Sequence, residues 1–169
     1  MLKKLRKIIQ NLKLIKWDFK NPQNCNFLLY DSTIGFALNQ YIDKKKIFIL
    51  NVRKERVYFF LFFKSIIKNA FNWNFQKYIY EVIQSVNPKI IITNIDNNKS
   101  FWELKKKFNN VKTIFIQNGF RCSYGTDVFS ELTDDDKGKY SVDKMFVFND
   151  SIGKEYSKYI NGEIISVGS

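Results

Sequence analysis

The chain has no histidine in its 169 residues. That excludes Ser-His-Asp and Cys-His nucleophilic catalysis, histidine metal sites and histidine general bases. Proton transfer falls to Asp, Glu, Lys, Tyr or Cys. Cysteine is scarce as well: Cys25 and Cys122 stand far apart and form no CxxC pair. This points to a reducing compartment, and away from a zinc site or a disulfide scaffold. Neither GxGxxG nor GxxxxGK[ST] occurs, so the Gly-rich phosphate fingerprints are absent. The apolar run Val57-Tyr-Phe-Phe-Leu-Phe-Phe63 is too short to cross a bilayer. No acid precedes Asp18.

What is present describes a globular chain. An apolar fraction of 45% with 17% aromatics is not a disordered composition, and the length fits one domain with a real core. The net charge of +12 raises nucleic-acid binding as a function. However, the basic residues are scattered outside the N-terminus, and no RRM-like, zinc-finger or helix-turn-helix pattern appears. Lys, Asn, Ile and Phe are enriched together, as in proteins from AT-rich genomes, which places much of the charge on solvated faces. No nucleic-acid partner is expected.

Leu2, Leu5, Ile8, Ile9, Leu12 and Ile15 recur at helical spacing among Lys3, Lys4, Arg6, Lys7, Lys13 and Lys16. The pattern predicts a basic amphipathic helix over residues 1–20, too interrupted for a signal-peptide core. Residues 1–17 could lie on an anionic membrane surface, or pack on the domain with their lysines in water. Residues 21–169 form the second unit. Strands are expected at Phe27–Tyr30, Lys46–Leu50, Lys89–Thr93, Val111–Ile116, Lys144–Phe148 and Glu163–Val167. Helices are expected at Ile34–Ile42, Phe75–Val86, Ser100–Phe108 and Ser151–Tyr159. Periodicity cannot decide between strand and buried helix for Val57–Ile67. Cys122–Tyr140 reads as a long surface loop, with Asp134-Asp-Asp136 as a solvated acidic run. Alternating strands and helices predict an α/β fold: a Rossmann-like, mostly parallel sheet with helices on both faces. The end at Val-Gly-Ser169 reads as a boundary into a further half.

Three of these strands stop at polar clusters: Asp31-Ser-Thr, Asn94-Ile-Asp-Asn-Asn98 and Gln117-Asn-Gly-Phe-Arg121. In a parallel sheet such clusters converge along one edge. Asp31 and Asp96 could accept a proton from a sugar hydroxyl, or simply hydrogen-bond it. Asn97, Asn98, Gln117 and Asn118 carry donor and acceptor on one group, which suits vicinal hydroxyls. Gly119 would admit close approach of a ligand to the backbone. Arg121 could hold a carboxylate or phosphate, or pair with Asp127. The structural alternatives are plain: Asp31 and Asn98 as helix caps, and Asp96-Asn97-Asn98 as an ordinary turn.

The segments Pro88-Lys-Ile-Ile-Ile-Thr-Asn-Ile-Asp-Asn-Asn98, Ile116-Gln-Asn-Gly-Phe-Arg121, Val142-Asp-Lys-Met-Phe-Val-Phe-Asn149 and Ile164-Ile-Ser-Val-Gly-Ser169 resemble bacterial surface-carbohydrate biosynthesis proteins, glycosyltransferases of the GT-B type. More remotely, they resemble CDP-glycerol glycerophosphotransferases. The resemblance extends over residues 25–169 and is densest after Pro88. It implies the N-terminal, acceptor-side half of a GT-B fold, inactive alone. A nucleotide-activated sugar would bind as donor mostly to a C-terminal half, with no tightly bound cofactor. A saccharide or lipid-linked saccharide would be the acceptor, at the cytoplasmic face of the membrane. The glycerophosphotransferases carry a His-Gly pair where this chain has Asn118-Gly119, and asparagine cannot act as a base. A carboxylate must then substitute: Asp31 first, by its place after the first strand, and Asp96 second. Asp127 joins the substrate-binding set. The competing expectation is a noncatalytic Rossmann-like binding module.

Overall fold

A computed structural model describes residues 15–38, 40–50, 52, 56–119 and 132–168. Eight strands are present among them: β1 (Lys16–Asp18), β2 (Phe27–Leu29), β3 (Ile47–Ile49), β4 (Arg56–Tyr58), β5 (Ile90–Thr93), β6 (Lys112–Ile116), β7 (Tyr140–Val147) and β8 (Ile160–Ser166). Six form one sheet in the order β3-β2-β5-β6-β7-β8, and every neighbouring pair is parallel. β1 and β4 form a separate parallel pair. The helices are α1 (Gly35–Leu38), α2 (Phe59–Lys68), α3 (Phe75–Val86), α4 (Lys99–Trp102), α5 (Leu104–Lys107) and α6 (Asp150–Ser157). The sheet is a Rossmann-like, mostly parallel α/β sheet flanked by helices, as the alternation of strand and helix signals predicts.

The strand order reverses at β2, with β3 on one side and β5 on the other. Right-handed crossovers running in opposite directions from one strand put their helices on opposite faces. The side chains agree. Leu28, Tyr30, Ile91, Phe115, Met145 and Val147 face the larger core, which also holds Trp102 and Tyr156. Leu29 and Ile92 face the smaller one, with Ile34 just before α1 and Leu38 at its end. The period-two alternation along β2, β5 and β6 thus feeds two layers.

α3 shows why these residues make this element. Asn74 caps it by accepting from the Lys77 backbone N–H at 3.1 Å. Ile79, Val82, Ile83 and Val86 recur on one face and are fully buried, each contributing about 1.5–3 kcal/mol relative to exposure. Asn87 ends the helix in the left-handed region, φ 51°, a conformation asparagine tolerates better than most residues. Pro88 then forbids a further turn.

The ambiguous run Val57–Ile67 resolves into both alternatives: β4 runs to Tyr58, and α2 starts at Phe59. The helix expected over residues 1–20 lies largely outside the described residues, and its described end, Lys16–Asp18, is a strand paired with β4. The Ile34–Ile42 helix is shorter than its pattern: a 3-10 turn at Ser32–Ile34 and then α1, ending where Tyr41 and Ile42 donate back to the Leu38 carbonyl. The acidic run is only partly solvated. Asp136 is buried, closes a capping box with Thr133, and accepts from the Tyr140 hydroxyl at 3.2 Å.

β7 and β8 pair through a bulge. Ser141 faces Asn161 and Lys144 faces Glu163, so Val142 and Asp143 share a single opposite residue, Gly162. A Cβ at Gly162 would lie 2.5 Å from the Val142 carbonyl oxygen. The Asp143 carboxylate accepts from the Thr113 N–H at 2.7 Å and its hydroxyl at 3.0 Å, and the Asp143 N–H donates back to that hydroxyl at 3.1 Å. Lys105 Nζ sits 2.7 Å from its other oxygen.

Candidate functional site

Because all six strands are parallel, their C-terminal ends share one edge, and the reversal at β2 opens a crevice position between β2 and β5. Open α/β sheets bind ligands outside such a point. The turn after β2 carries Asp31, Ser32 and Thr33, and the turn after β5 carries Asn94 to Asn98. Thr33 joins the two turns by donating its hydroxyl to the Asn94 amide oxygen at 2.5 Å.

Asp31 is 4% exposed and caps the 3-10 turn. Its Oδ1 accepts from the Thr33 N–H at 3.1 Å and from the Ser32 hydroxyl at 3.3 Å. Asp96 is equally buried. Its Oδ2 accepts from the Tyr156 hydroxyl at 2.8 Å, and its carbonyl accepts from Trp102 Nε1 at 3.0 Å. Both carboxylates therefore lie just beneath the rim, each with a partner of its own. Asn98 caps α4, accepting from the Ser100 N–H at 3.2 Å and its hydroxyl at 2.5 Å. Asn97 is exposed.

Beyond β6, Gln117 is buried and uses both ends of its amide. Nε2 donates to the Gly119 carbonyl at 2.8 Å, and Oε1 accepts from the Phe148 N–H at 3.0 Å. It fastens the end of β6 to the end of β7. Asn118 is exposed beside it, and Gly119 is half-buried. Arg121 and Asp127 lie outside the described residues. The edge thus gathers Asp31, Asp96, Asn97, Asn98, Gln117, Asn118 and Gly119 from three strand ends. Among the described residues at these three strand ends, the fully exposed ones are neutral: Ser32, Thr33, Asn97 and Asn118. Neutral amides and hydroxyls suit a ligand rich in hydroxyl groups.

Sequence reasoning missed the partners. Tyr156 is 60 residues from Asp96 in the chain, and only its place on α6 brings it under the rim. It packs on Phe115, which packs on Trp102, with ring centroids 5.3 and 5.1 Å apart. No local signal marks that pairing. Asn149 caps α6 by accepting from the Ile152 N–H at 3.0 Å. Tyr30 lies below the same rim. Burial pushes its hydroxyl up to about 12, so it stays protonated against Ser100 and is not a base.

A cleft of about 820 Å³ lies at the opposite edge, where the strands begin. It is lined by Lys45, Lys46, Lys89 and Lys112, with asparagines between them and no acid. Among the described residues no three Cys, Asp or Glu side chains converge as ligands of a cation would.

Residues 114–169 match a family model described as "putative O-antigen biosynthesis protein". The matched segment starts within β6 and takes in Gln117, β7, α6 and β8. It supports a part in the biosynthesis of surface polysaccharide. Searches of curated proteins and of solved structures give no match. Among the described residues no helix is long and apolar enough to cross a membrane.

Proposed function

We propose that the chain is the acceptor-side half of a GT-B-type glycosyltransferase that builds surface polysaccharide. The observation that carries the reading is the reversal of strand order at β2, with Asp31 on one side and Asn94 to Asp96 on the other, in a chain whose last third resembles O-antigen biosynthesis proteins. The acceptor's hydroxyls would lie against the neutral amides of the rim. A carboxylate takes the proton from the attacking hydroxyl, whose oxygen then bonds to the anomeric carbon as the nucleotide leaves with the bonding electrons. Asp31 is the first choice for that base and Asp96 the second. Asp96 serves the larger structural role, since its carbonyl and carboxylate both hold core aromatics. The donor, a nucleotide-activated sugar, would bind mainly to a second half. The acceptor is a saccharide, lipid-linked in the fullest form of the reading. The site of action is then the cytoplasmic face of the membrane, with residues 1–17 on its anionic surface.

The test is sugar transfer by the complete gene product carrying Asp31→Asn or Asp96→Asn. Loss of about 10²–10⁴-fold for Asp31→Asn, with the circular dichroism spectrum intact, supports the base. Unchanged transfer by both variants moves the protein to the competing reading, a noncatalytic binding module. That reading draws on one observation: both carboxylates already serve as hydrogen-bond anchors of the fold.

A further inference from the structure

The outward face of α2 breaks the usual pattern of a surface helix. Its inner side packs normally: Leu61 and Ser65 are buried, and the Ser65 hydroxyl accepts from Trp73 Nε1 at 2.8 Å. The side turned to solvent should be polar, yet it carries Phe60, Phe63 and Ile67 at helical spacing, 57, 44 and 79% exposed. Phe71, three residues past the helix, is fully exposed, and Phe19 extends the patch from the end of β1 through a ring contact to Phe59 at 5.1 Å. Phe60, Phe63 and Ile67 on one helix face, joined by Phe19 through Phe59, mark an interaction surface.

Charge selects the occupant. No acid occurs between Arg56 and Glu81, while Lys64, Lys68 and Lys77 interleave with the aromatics. Among the described residues the acids beside this helix are Asp18, paired with Arg56, and Glu81, whose one carboxylate Lys64 and Lys68 share, so these two lysines keep one positive charge in excess. A second copy would bring another +12 chain against this face, and like charges oppose that contact. An anionic bilayer supplies both an apolar boundary for the phenylalanines and negative charge for the lysines. We infer that this ridge is a membrane-docking face: Phe60, Phe63 and Ile67 enter the headgroup–acyl boundary of an anionic leaflet, with the α2 lysines at headgroup level. The inference deepens the proposed function by naming the surface at which a lipid-linked acceptor would be met. It is read without any sugar substrate, so its failure and that of the transferase reading are separable.

The experiment is flotation of the full chain with phosphatidylcholine vesicles, with and without phosphatidylglycerol, alongside the triple variant F60S/F63S/I67S. The changes are at solvent-facing positions, and circular dichroism checks the fold. The expected result is binding to the anionic vesicles only, weakened about tenfold or more in the triple variant. A single variant, Phe63→Trp, should show a blue-shifted emission and quenching by brominated lipid when vesicles are added. Binding that survives the triple change would assign attachment to another part of the chain and overturn the inference. So would an absence of vesicle binding. A concentration-dependent dimer abolished by the triple variant, without vesicle binding, would give the face to a second copy and overturn it as well.

Discussion

The two ends of the central sheet solve opposite problems. Where the strands finish, the polar side chains turn inward: Asp31, Asp96 and Gln117 are each about 5% exposed and each holds a backbone group or a core aromatic. Where the strands begin, the polar side chains turn outward: Lys45, Lys46, Lys89 and Lys112 line an open cleft, and no ion pair engages them among the described residues. Among the described residues, one end holds its buried polar groups in hydrogen bonds and the other presents lysines to solvent. Open α/β sheets place their ligands at the first, although the open cleft of about 820 Å³ belongs to the second. That cleft alone would therefore point away from the proposed chemistry. The preorganised groups are the better guide.

Substitutions can break that contrast. The largest effect is expected from Gln117→Ala, which leaves the Phe148 N–H and the Gly119 carbonyl without their partner. Loss of about 1–3 kcal/mol in chemical denaturation is expected, and an unchanged midpoint would mean that the rim is not held this way. A smaller effect concerns Asp143, just inside the charged end. Burial pushes its carboxyl up, but Lys105 together with the Thr113 N–H and hydroxyl outweighs this and holds it below the usual carboxylate range. A depressed folded value gives stability that is present above the unfolded value, about 3.9, and is lost as pH falls through the folded one. The difference in Tm between the parent chain and Asp143→Asn should accordingly be widest near neutrality and shrink as the solution is acidified below about pH 4. A gap constant across that range would refute the pairing. The smallest effect is expected at the open cleft: Lys45→Ala and Lys89→Ala should each change stability by no more than about 0.5 kcal/mol. A larger loss at either would show that the strand-start end is as structurally committed as its counterpart.

Much of this architecture was readable from local pattern. β5 and α3 fall within one residue of their expected bounds, because a β-branched run and a capped amphipathic stretch each answer to neighbouring residues alone. β7 reaches back to Tyr140, earlier than expected, since its first residues are held by pairing with the Ile160 end of β8, a partner that the local pattern does not name. Val57–Ile67 resisted reading for a similar reason: β4 exists only because β1 pairs with it. At the candidate site the polar residue types and their common edge followed from strand ends. Their burial did not. Whether Asp96 faces solvent or Tyr156 depends on where α6 settles, and nothing within ten residues of Asp96 encodes that. Asp31 and Asn98 do serve as caps, the plainer of the two roles their types allowed.

The pinch at Gly162 reaches beyond its own strand. Even an alanine methyl there would collide with the Val142 carbonyl, and that carbonyl belongs to the extra residue that turns Asp143 toward Thr113 and Lys105. A saturation library across β8 should therefore be silent at codon 162 for every replacement, while Asn161 and Glu163, both exposed, vary freely on either side. The sheet's outermost strand is tied to its second neighbour, β6, through a position that drift cannot explore.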